Sequence, residues 1–586
     1  MKFIFLFWLG WLISSPALAL VDMKNANFST TFTDVQLPGS GYDLRIQRTY
    51  NSRSLFNGMF GFGWCSDFET KLTVTPEGNL MVTECGGGLE VTYAPQNFDP
   101  NSIDQTITTI VAEVKKRNPN MGQQALNNLQ EELKTNQFLR EEFGRQLNLR
   151  GQVRAGTVYM ANGRETENIV LREGVYVRTL EDGSFERFNR EGQLIQLNDR
   201  AGNYLKIDWN ENRIARVVDN SGRQLVFTPD ENTRRVRQIT GPNDLKATYK
   251  FEGENLVEVT NSWNNTFKYR YDNLHNIVRI DYPDKTYQEL AYDKDRDWVT
   301  RFRDRQGCIE NYKYESNPRD PQNHFWSTVE KKCGDEVVNN SRYEFWHRPN
   351  RNGAGHYLHR VRTDNNGSVT DIVYHPVFGL PVSILRNAET VRYSYRNNGQ
   401  VETKEEPFRH TSFFYRNRCN KVSDVVVRYL APSEDQLTPT QRAQLEQQRE
   451  AASVPKKGKA KAETFNGREV LKTIRTQYEY DQPRCFLVRA RNTEGQAIVL
   501  RYDGRGRINR IQDQARRVIT IEYDERFGKP SRVHRPGMGT MVVTYGPDGE
   551  ITSVDSEEGP TVALQVATVF NGLLDMIAPA AGDTNI

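Results

Sequence analysis

One spacing limits this chain more than any other. An aromatic residue, in several units followed by Asp, returns about every 21 residues. Tyr502-Asp503-Gly504-Arg505-Gly506-Arg507-Ile508 shows the full unit: aromatic, Asp, two variable residues, Gly, Arg, aliphatic. Tyr480-Asp481 precedes it, and Tyr523-Asp524 and Tyr545 follow. The same beat runs through Phe188, Trp209, Phe227, Phe251, Tyr271, Tyr292, Tyr314, Tyr374, Tyr395 and Tyr415. Self-similarity at such a period marks stacked repeats, in which no unit buries its apolar face alone.

A second turn falls half a period later, as in Asp199-Arg200-Ala201-Gly202-Asn203 and Asp219-Asn220-Ser221-Gly222-Arg223. Asp bonds its own turn, and Gly takes positive φ without steric cost. Each repeat therefore holds two turns and two strands. The intervening residues alternate accordingly: Leu205, Ile207 and Trp209 share one face, Lys206 and Asp208 the other. The repeat aromatics Phe188, Trp209, Tyr271, Tyr292, Tyr395, Tyr502, Tyr523 and Tyr545 are predicted as core, with their rings stacking into a ladder. Each cross-strand aromatic pair contributes roughly 0.2–1 kcal/mol. About 15 such repeats give a sheet path on the order of 140 Å, which twist should curl into a spiral or shell.

Composition agrees with many short strands: 37% hydrophobic residues, with 26 Tyr, 28 Phe and 42 Gly. The 78 Lys and Arg against 75 Asp and Glu argue against nucleic acid as the main partner, since phosphate binding needs a concentrated basic surface. The aromatic content excludes global disorder.

Residues 1–19 read as a signal peptide, with an apolar run from Phe3 to Ile13 and small residues at Ala17 and Ala19. Export to the periplasm, cell surface or medium follows, and the mature chain is expected to be soluble. Export makes the six cysteines informative. Cys419 and Cys485 hold near-equivalent positions in consecutive repeats once the stretch between them is set aside, and so do Cys308 and Cys333. Cys65 and Cys85 bracket a predicted hairpin through Pro76-Glu77-Gly78-Asn79. Disulfides Cys65–Cys85, Cys308–Cys333 and Cys419–Cys485 are predicted, against the alternative of buried free thiols.

Two stretches break the beat. In 101–150, Leu126, Leu129, Leu133, Phe143 and Leu147 sit at helical spacings, and Asn118-Pro119-Asn120 divides them into a predicted helical hairpin. The stretch 432–467 joins a Gln-rich helix over 438–452 to a Lys-rich linker and reads as a solvated loop. The apolar tail 558–586 is expected to cap the last repeat. The remaining units are an N-terminal domain, 20–100, and two repeat blocks, 151–431 and 468–557.

No catalytic, cofactor or metal residues are nominated. His356 and His359 lie beside Gly353 and Gly355 and read as a turn. Asp293, Asp295 and Asp297 begin like a calcium loop, but Trp298 stands where that loop needs Gly. There is no G-x-S-x-G and no phosphate-binding glycine loop; Gly86-Gly87-Gly88 reads as a flexible turn.

The Tyr-Asp unit with Gly-Arg-Ile in phase resembles the YD repeat of the Rhs family. Gly41-Tyr42-Asp43-Leu44, Arg48-Thr49-Tyr50-Asn51-Ser52-Arg53 and Gly61-Phe62-Gly63-Trp64 are similar to the N-terminal domain that precedes Rhs repeats. The resemblance implies a mostly β fold, a hairpin array wound into a shell-like sheet, which in relatives encloses a C-terminal toxin or is displayed for adhesion. Neither a core motif with a self-cleavage site nor a toxin is recognisable here. The expectation is a secreted, non-enzymatic YD-repeat scaffold contacting carbohydrate or a cell-surface protein. The alternative is a shell component of a toxin-delivery system with separately encoded cargo. An enzyme acting on polysaccharide is a third, weaker reading.

Overall fold

The computed structural model describes residues 20–575 apart from 40, 85–88, 96, 98, 162–163, 232, 234, 350–355, 388, 433–462, 483, 547–550 and 557. The predicted signal peptide, the Gln-rich helix over 438–452, its Lys-rich linker and the triple-Gly turn lie outside the described residues.

Among the described residues, 37 strands form one antiparallel sheet. It runs from Lys71–Val74 to Ile551–Asp555 and is open, with these two strands as its edges. Nearly every strand pairs with its neighbours in sequence, so the sheet is a chain of hairpins. At the second break in the beat, Asp424–Leu430 pairs directly with Arg468–Tyr480, while Thr464–Phe465 folds back as a short hairpin. Removing that stretch restores the repeat.

Accumulated twist curls the sheet until distant turns meet. Lys421 Nζ donates to the Glu181 carbonyl at 3.2 Å, and Arg200 Nη1 to the Cys485 carbonyl at 3.2 Å. Gly506 lies against Ala201, where no Cβ would fit. Turns of the first repeats thus abut turns of the last ones, as a spiral requires.

Two cores share one face of this sheet. The first forms around residues 20–69, which fold as a small sheet of Leu20–Val21, Phe28–Leu37, Leu44–Asn51 and Trp64–Ser66. The large sheet wraps around this unit, burying Phe28, Phe60 and Trp64 completely. Backbone bonds fix the seating: Phe62 donates to Glu254, Ser262 to Asp34 and Val299 to Ala26. The N-terminal stretch 20–100 therefore divides at residue 70, since Lys71–Val74, Leu80–Glu84 and Leu89–Pro95 belong to the large sheet. The second core gathers Val425, Tyr478, Ile498, Leu500, Ile519 and Val533 under a C-terminal helix, Pro560–Asp575, which inserts Val562, Val566 and Val569.

The stretch 101–150 folds as three helices, α1 (Asn101–Arg117), α2 (Gln123–Thr135) and α3 (Gln137–Leu147), and not as a hairpin of two. Asn136 makes the extra break. Its side chain accepts from the Leu139 N–H at 3.0 Å and starts a new helix. Ile107, Ile110, Val114, Leu126 and Leu133 form their own core. A buried Arg140–Glu77 ion pair and the Thr106 hydroxyl on the Pro76 carbonyl fasten the three helices to the first hairpin. His356 and His359 are strand residues in His356–Asn365, not a turn, because pairing with Glu336–Pro349 continues to His356. No helix among the described residues is long and apolar enough to cross a membrane.

Candidate functional site

The repeat aromatics come together as a ladder, by a route other than ring stacking. Each sits beside a β-bulge that closes its strand, as at Arg270/Tyr271, Arg501/Tyr502 and Glu522/Tyr523. The bulge points the hydroxyl back to the preceding repeat. Tyr271 donates to the Leu256 carbonyl at 2.7 Å, Tyr292 to Ile277 at 3.0 Å and Tyr395 to Pro381 at 2.5 Å. Tyr502 donates to Leu487, Tyr523 to Ile508 and Tyr545 to Pro530, at 2.6–2.7 Å. Trp209 does the same through its indole N–H on the Leu194 carbonyl, 2.8 Å away. Phe188 is fully buried beside the bulge opposite Leu194. Among the described residues, successive repeat tyrosines make no ring contact. They meet turn aromatics of the preceding repeat, as Tyr502 meets Phe486 at 4.8 Å and Tyr314 meets Trp298 at 5.2 Å. One strand lies between successive repeat tyrosines, so they stand two strand spacings apart, roughly 9.6 Å, too far for stacking.

Where Asp follows the aromatic, as after Tyr271, Tyr292, Tyr502 and Tyr523, it makes the turn. Asp503 accepts from the Arg505 and Arg507 amides at 2.9 Å and from Arg507 Nε at 2.7 Å. Although burial pushes the other way, these bonds hold its carboxyl below the usual range. Asp219 and Asp513 repeat this pattern at half-period turns. Asp293, the start of the calcium-like stretch, accepts from the Asp295 and Arg296 amides in the same way. Among the described residues no group of three or more His, Cys, Asp or Glu is placed to hold a metal ion.

Disulfides join Cys308 to Cys333 and Cys419 to Cys485. The third predicted pair falls on Cys85, outside the described residues; Cys65 is buried in Trp64–Ser66.

Two buried polar centres were not nominated as sites from the sequence, although Arg48 of the first opens one of the N-terminal motifs. Arg48 and Asp34, each fully buried, pair at 2.6 Å inside the small N-terminal sheet. Tyr249 donates to the Asp34 carboxylate at 3.1 Å, and Arg48 donates to the Tyr269 hydroxyl at 2.8 Å, with its guanidinium 4.4 Å from the Trp64 ring. This centre locks the N-terminal unit to the sheet. At the second, Arg178 meets Glu84 (2.6 Å), Glu167 (3.3 Å) and Glu186 (3.1 Å), and its Nε donates to the Tyr93 hydroxyl at 3.0 Å. Burial pushes the Glu186 carboxyl up against the pull of Arg178. All three carboxylates converge on one guanidinium, so the cluster ties the first strands of the sheet together.

The surface best suited to a partner lies between the two cores. His356–Asn365, Ser368–Tyr374, Pro381–Arg386 and Glu389–Tyr395 contain no fully buried residue. Register nevertheless aligns Phe325, Phe345, Val361, Ile372, Ile384 and Val391 in one row across six strands. The row starts beside Val329 and Tyr343 of the first core, and its face continues through Phe413 and Val425 into the second. It is the core face of the sheet, and from Val361 to Val391 no segment of the described residues buries it, over about 20 Å at strand spacing.

Comparison with known proteins gives limited likeness. The family described as "Domain of unknown function (DUF6531)" matches residues 20–93. No curated protein matches the chain. Among solved structures, the crystal structure of TcdB2-TccC3-TEV is similar at 10% identity and a TM-score of 0.40, over 95% of this chain and 29% of that one. The Photorhabdus luminescens Tc holotoxin pore with the TccC3-D651A mutation is similar at 10% identity and a TM-score of 0.32, over 92% and 29%. This chain spans less than a third of the length of either.

Proposed function

We propose that the protein is an exported, non-enzymatic scaffold that holds a polypeptide partner on the uncovered strip. One observation carries the reading: the core face of the sheet is covered by the chain's own segments at both ends, and between them it leaves four aliphatic residues in register only half-buried, bordered by the charged Lys404, Glu406 and Arg409. Its open part, Val361, Ile372, Ile384 and Val391, is aliphatic, so it suits side chains of a protein better than the polar ring of a sugar. An envelope or cell-surface protein fits this chemistry. A separately encoded toxin, housed as in the Rhs-like proteins the repeat resembles, is the second reading.

The test is a photo-crosslinking amino acid placed at Ile384, with Arg362 on the opposite face as control, in cells that make the protein natively. One defined protein adduct from Ile384 and none from Arg362 supports the proposal. Equal labelling from both positions, or none from Ile384, refutes it. Identifying the adduct separates an envelope protein from a toxin. Retention on a glycan array that is abolished by Ile384→Asp would instead favour carbohydrate.

A further inference from the structure

The Cys419–Cys485 disulfide lies where the spiral closes on itself. The turn 481–486 follows Tyr480 and carries three features at once. Cys485 is half of the disulfide. Its carbonyl accepts from Arg200 Nη1 at 3.2 Å. Its backbone is left-handed, with φ of 59°. The sister turn after Tyr523 has the same backbone bond, donated by the residue four after Asp524, and there the left-handed residue is Gly528 (φ 64°). A side chain in that conformation costs energy and persists only where its surroundings hold it.

The neighbours show what depends on this turn. The Arg200 guanidinium lies 5.4 Å from the ring of Phe486, the residue after Cys485. Lys421, two residues after Cys419, donates to the Glu181 carbonyl at 3.2 Å. Both disulfide-bearing turns therefore contact turns of the first repeats, more than 200 residues earlier in the chain. Beside these contacts, the seam holds the buried Phe486 ring and the packing of Gly506 on Ala201. The Cys308–Cys333 bridge differs: it joins the ends of two strands already paired along Ile309–Ser316 and His324–Cys333.

We propose that Cys419–Cys485 is a redox latch, the site at which a dithiol reductant opens the seam between the first and last repeats. A thiolate of the reductant attacks one sulfur, the S–S bond breaks, and a mixed disulfide forms. The second thiol of the reductant then displaces it. Two electrons and two protons pass to the cysteines, and the reductant leaves as a disulfide. Neither sulfur-bearing residue is fully buried, and Gln482 Nε2 donates to Cys419 Sγ at 2.9 Å from an exposed position, so the bond lies at the surface. With the bridge gone, the turn at Cys485 loses what holds it left-handed, and the carbonyl bonded to Arg200 moves away. The proposal does not rest on what occupies the uncovered strip.

The test is hydrogen exchange on the full chain, oxidised and after dithiothreitol, beside C419S/C485S, C308S/C333S and Arg200→Ala. In C419S/C485S, in reduced wild type and in Arg200→Ala, peptides covering 181–203 and 481–506 should exchange about ten-fold faster or more, as local opening does. Peptides covering 205–292 should keep their protection. C308S/C333S without reductant should match oxidised wild type at the seam. Unchanged seam peptides in C419S/C485S overturn the proposal. So does equal loosening in C308S/C333S, or loss of protection that extends through 205–292.

Discussion

The tyrosine ladder makes a sharp prediction at Tyr523. Its hydroxyl donates to the Ile508 carbonyl at 2.6 Å, while its ring receives the Arg507 guanidinium at 4.4 Å from the centroid. Tyr523→Phe deletes one oxygen and leaves the ring, its burial and the cation contact in place. A typical net hydrogen bond contributes about 1 kcal/mol, and a buried carbonyl deprived of its donor adds to the loss, so the expected cost is about 1–2 kcal/mol. In an array whose repeats contact chiefly their neighbours, that cost stays local. Native-state hydrogen exchange reads it directly: amides of Ile508–Asp513 and Val518–Tyr523 should exchange about 5–30 times faster, the factor set by that energy. Tyr287→Phe is the control. That ring lies between the Arg279 and Arg303 guanidiniums, 3.8 and 4.0 Å from its centroid, contacts that a phenyl ring keeps. Acceleration below two-fold at Tyr523→Phe, or as large at Tyr287→Phe, would refute the assignment of the hydroxyl as the inter-repeat link.

Other consequences follow from the same geometry. Burial pushes Tyr395, Tyr415, Tyr502, Tyr523 and Tyr545 up to about 12. Their folded values lie above the unfolded value of about 10, so the stability they confer is complete below that pH and lost as pH rises toward 12. Tyrosinate absorbance and circular dichroism should therefore change together; ionisation of these tyrosines with the β signal intact would refute this. Arg48→Met strands the buried Asp34 carboxylate and should cost about 3–5 kcal/mol, read as protease cleavage within residues 20–69. Adding Asp34→Leu should restore much of that protection. Arg516 occupies the left-handed position (φ 61°) that Gly222 and Gly506 hold in sister turns. Arg516→Gly should stabilise the second block by about 0.5–1 kcal/mol in denaturant melts, and a loss would show that the arginine side chain matters more than its backbone strain.

The array was legible because its turns announce themselves. An Asp that bonds the amides two and four residues on, with a residue of positive φ between them, needs little from the rest of the molecule. The ladder's chemistry was half legible. Tyr at the beat looked like any core aromatic. Yet the aliphatic residue of one unit, Ile508, lies 15 residues before the next tyrosine, Tyr523, and that offset recurs at Ile277 and Tyr292. The break at Asn136 is masked in the sequence because the helical spacing of Leu126, Leu129, Leu133, Phe143 and Leu147 continues across it, although an Asn able to cap is a local signal. The N-terminal unit's placement was not legible at all. Arg48 and Tyr269 are 221 positions apart, and nothing local to either records the other. The uncovered strip is hidden for the same reason. Val361, Ile372 and Ile384 alternate like every other strand residue, and whether they are covered depends on how far residues 20–69 reach.

That reach also limits what a partner must look like. The sheet is not an empty casing, since the N-terminal unit fills one part of its core face and the C-terminal helix another. Each of these segments seats differently. The N-terminal unit combines apolar side chains with backbone bonds and the Arg48–Asp34 pair, whereas the helix presents Val562, Val566 and Val569 from one stripe. The open part of the row offers four apolar positions in register, Val361, Ile372, Ile384 and Val391, and its strand backbones are already paired within the sheet. A partner there cannot add a strand across it and must bring side chains, as the helix does. An amphipathic helix laid along the row, with apolar residues three and four apart, would span about 20 Å in roughly 13 residues. A partner captured at Ile384 should therefore lose binding when a single apolar position on such a helix is charged, and keep it when its polar face is changed.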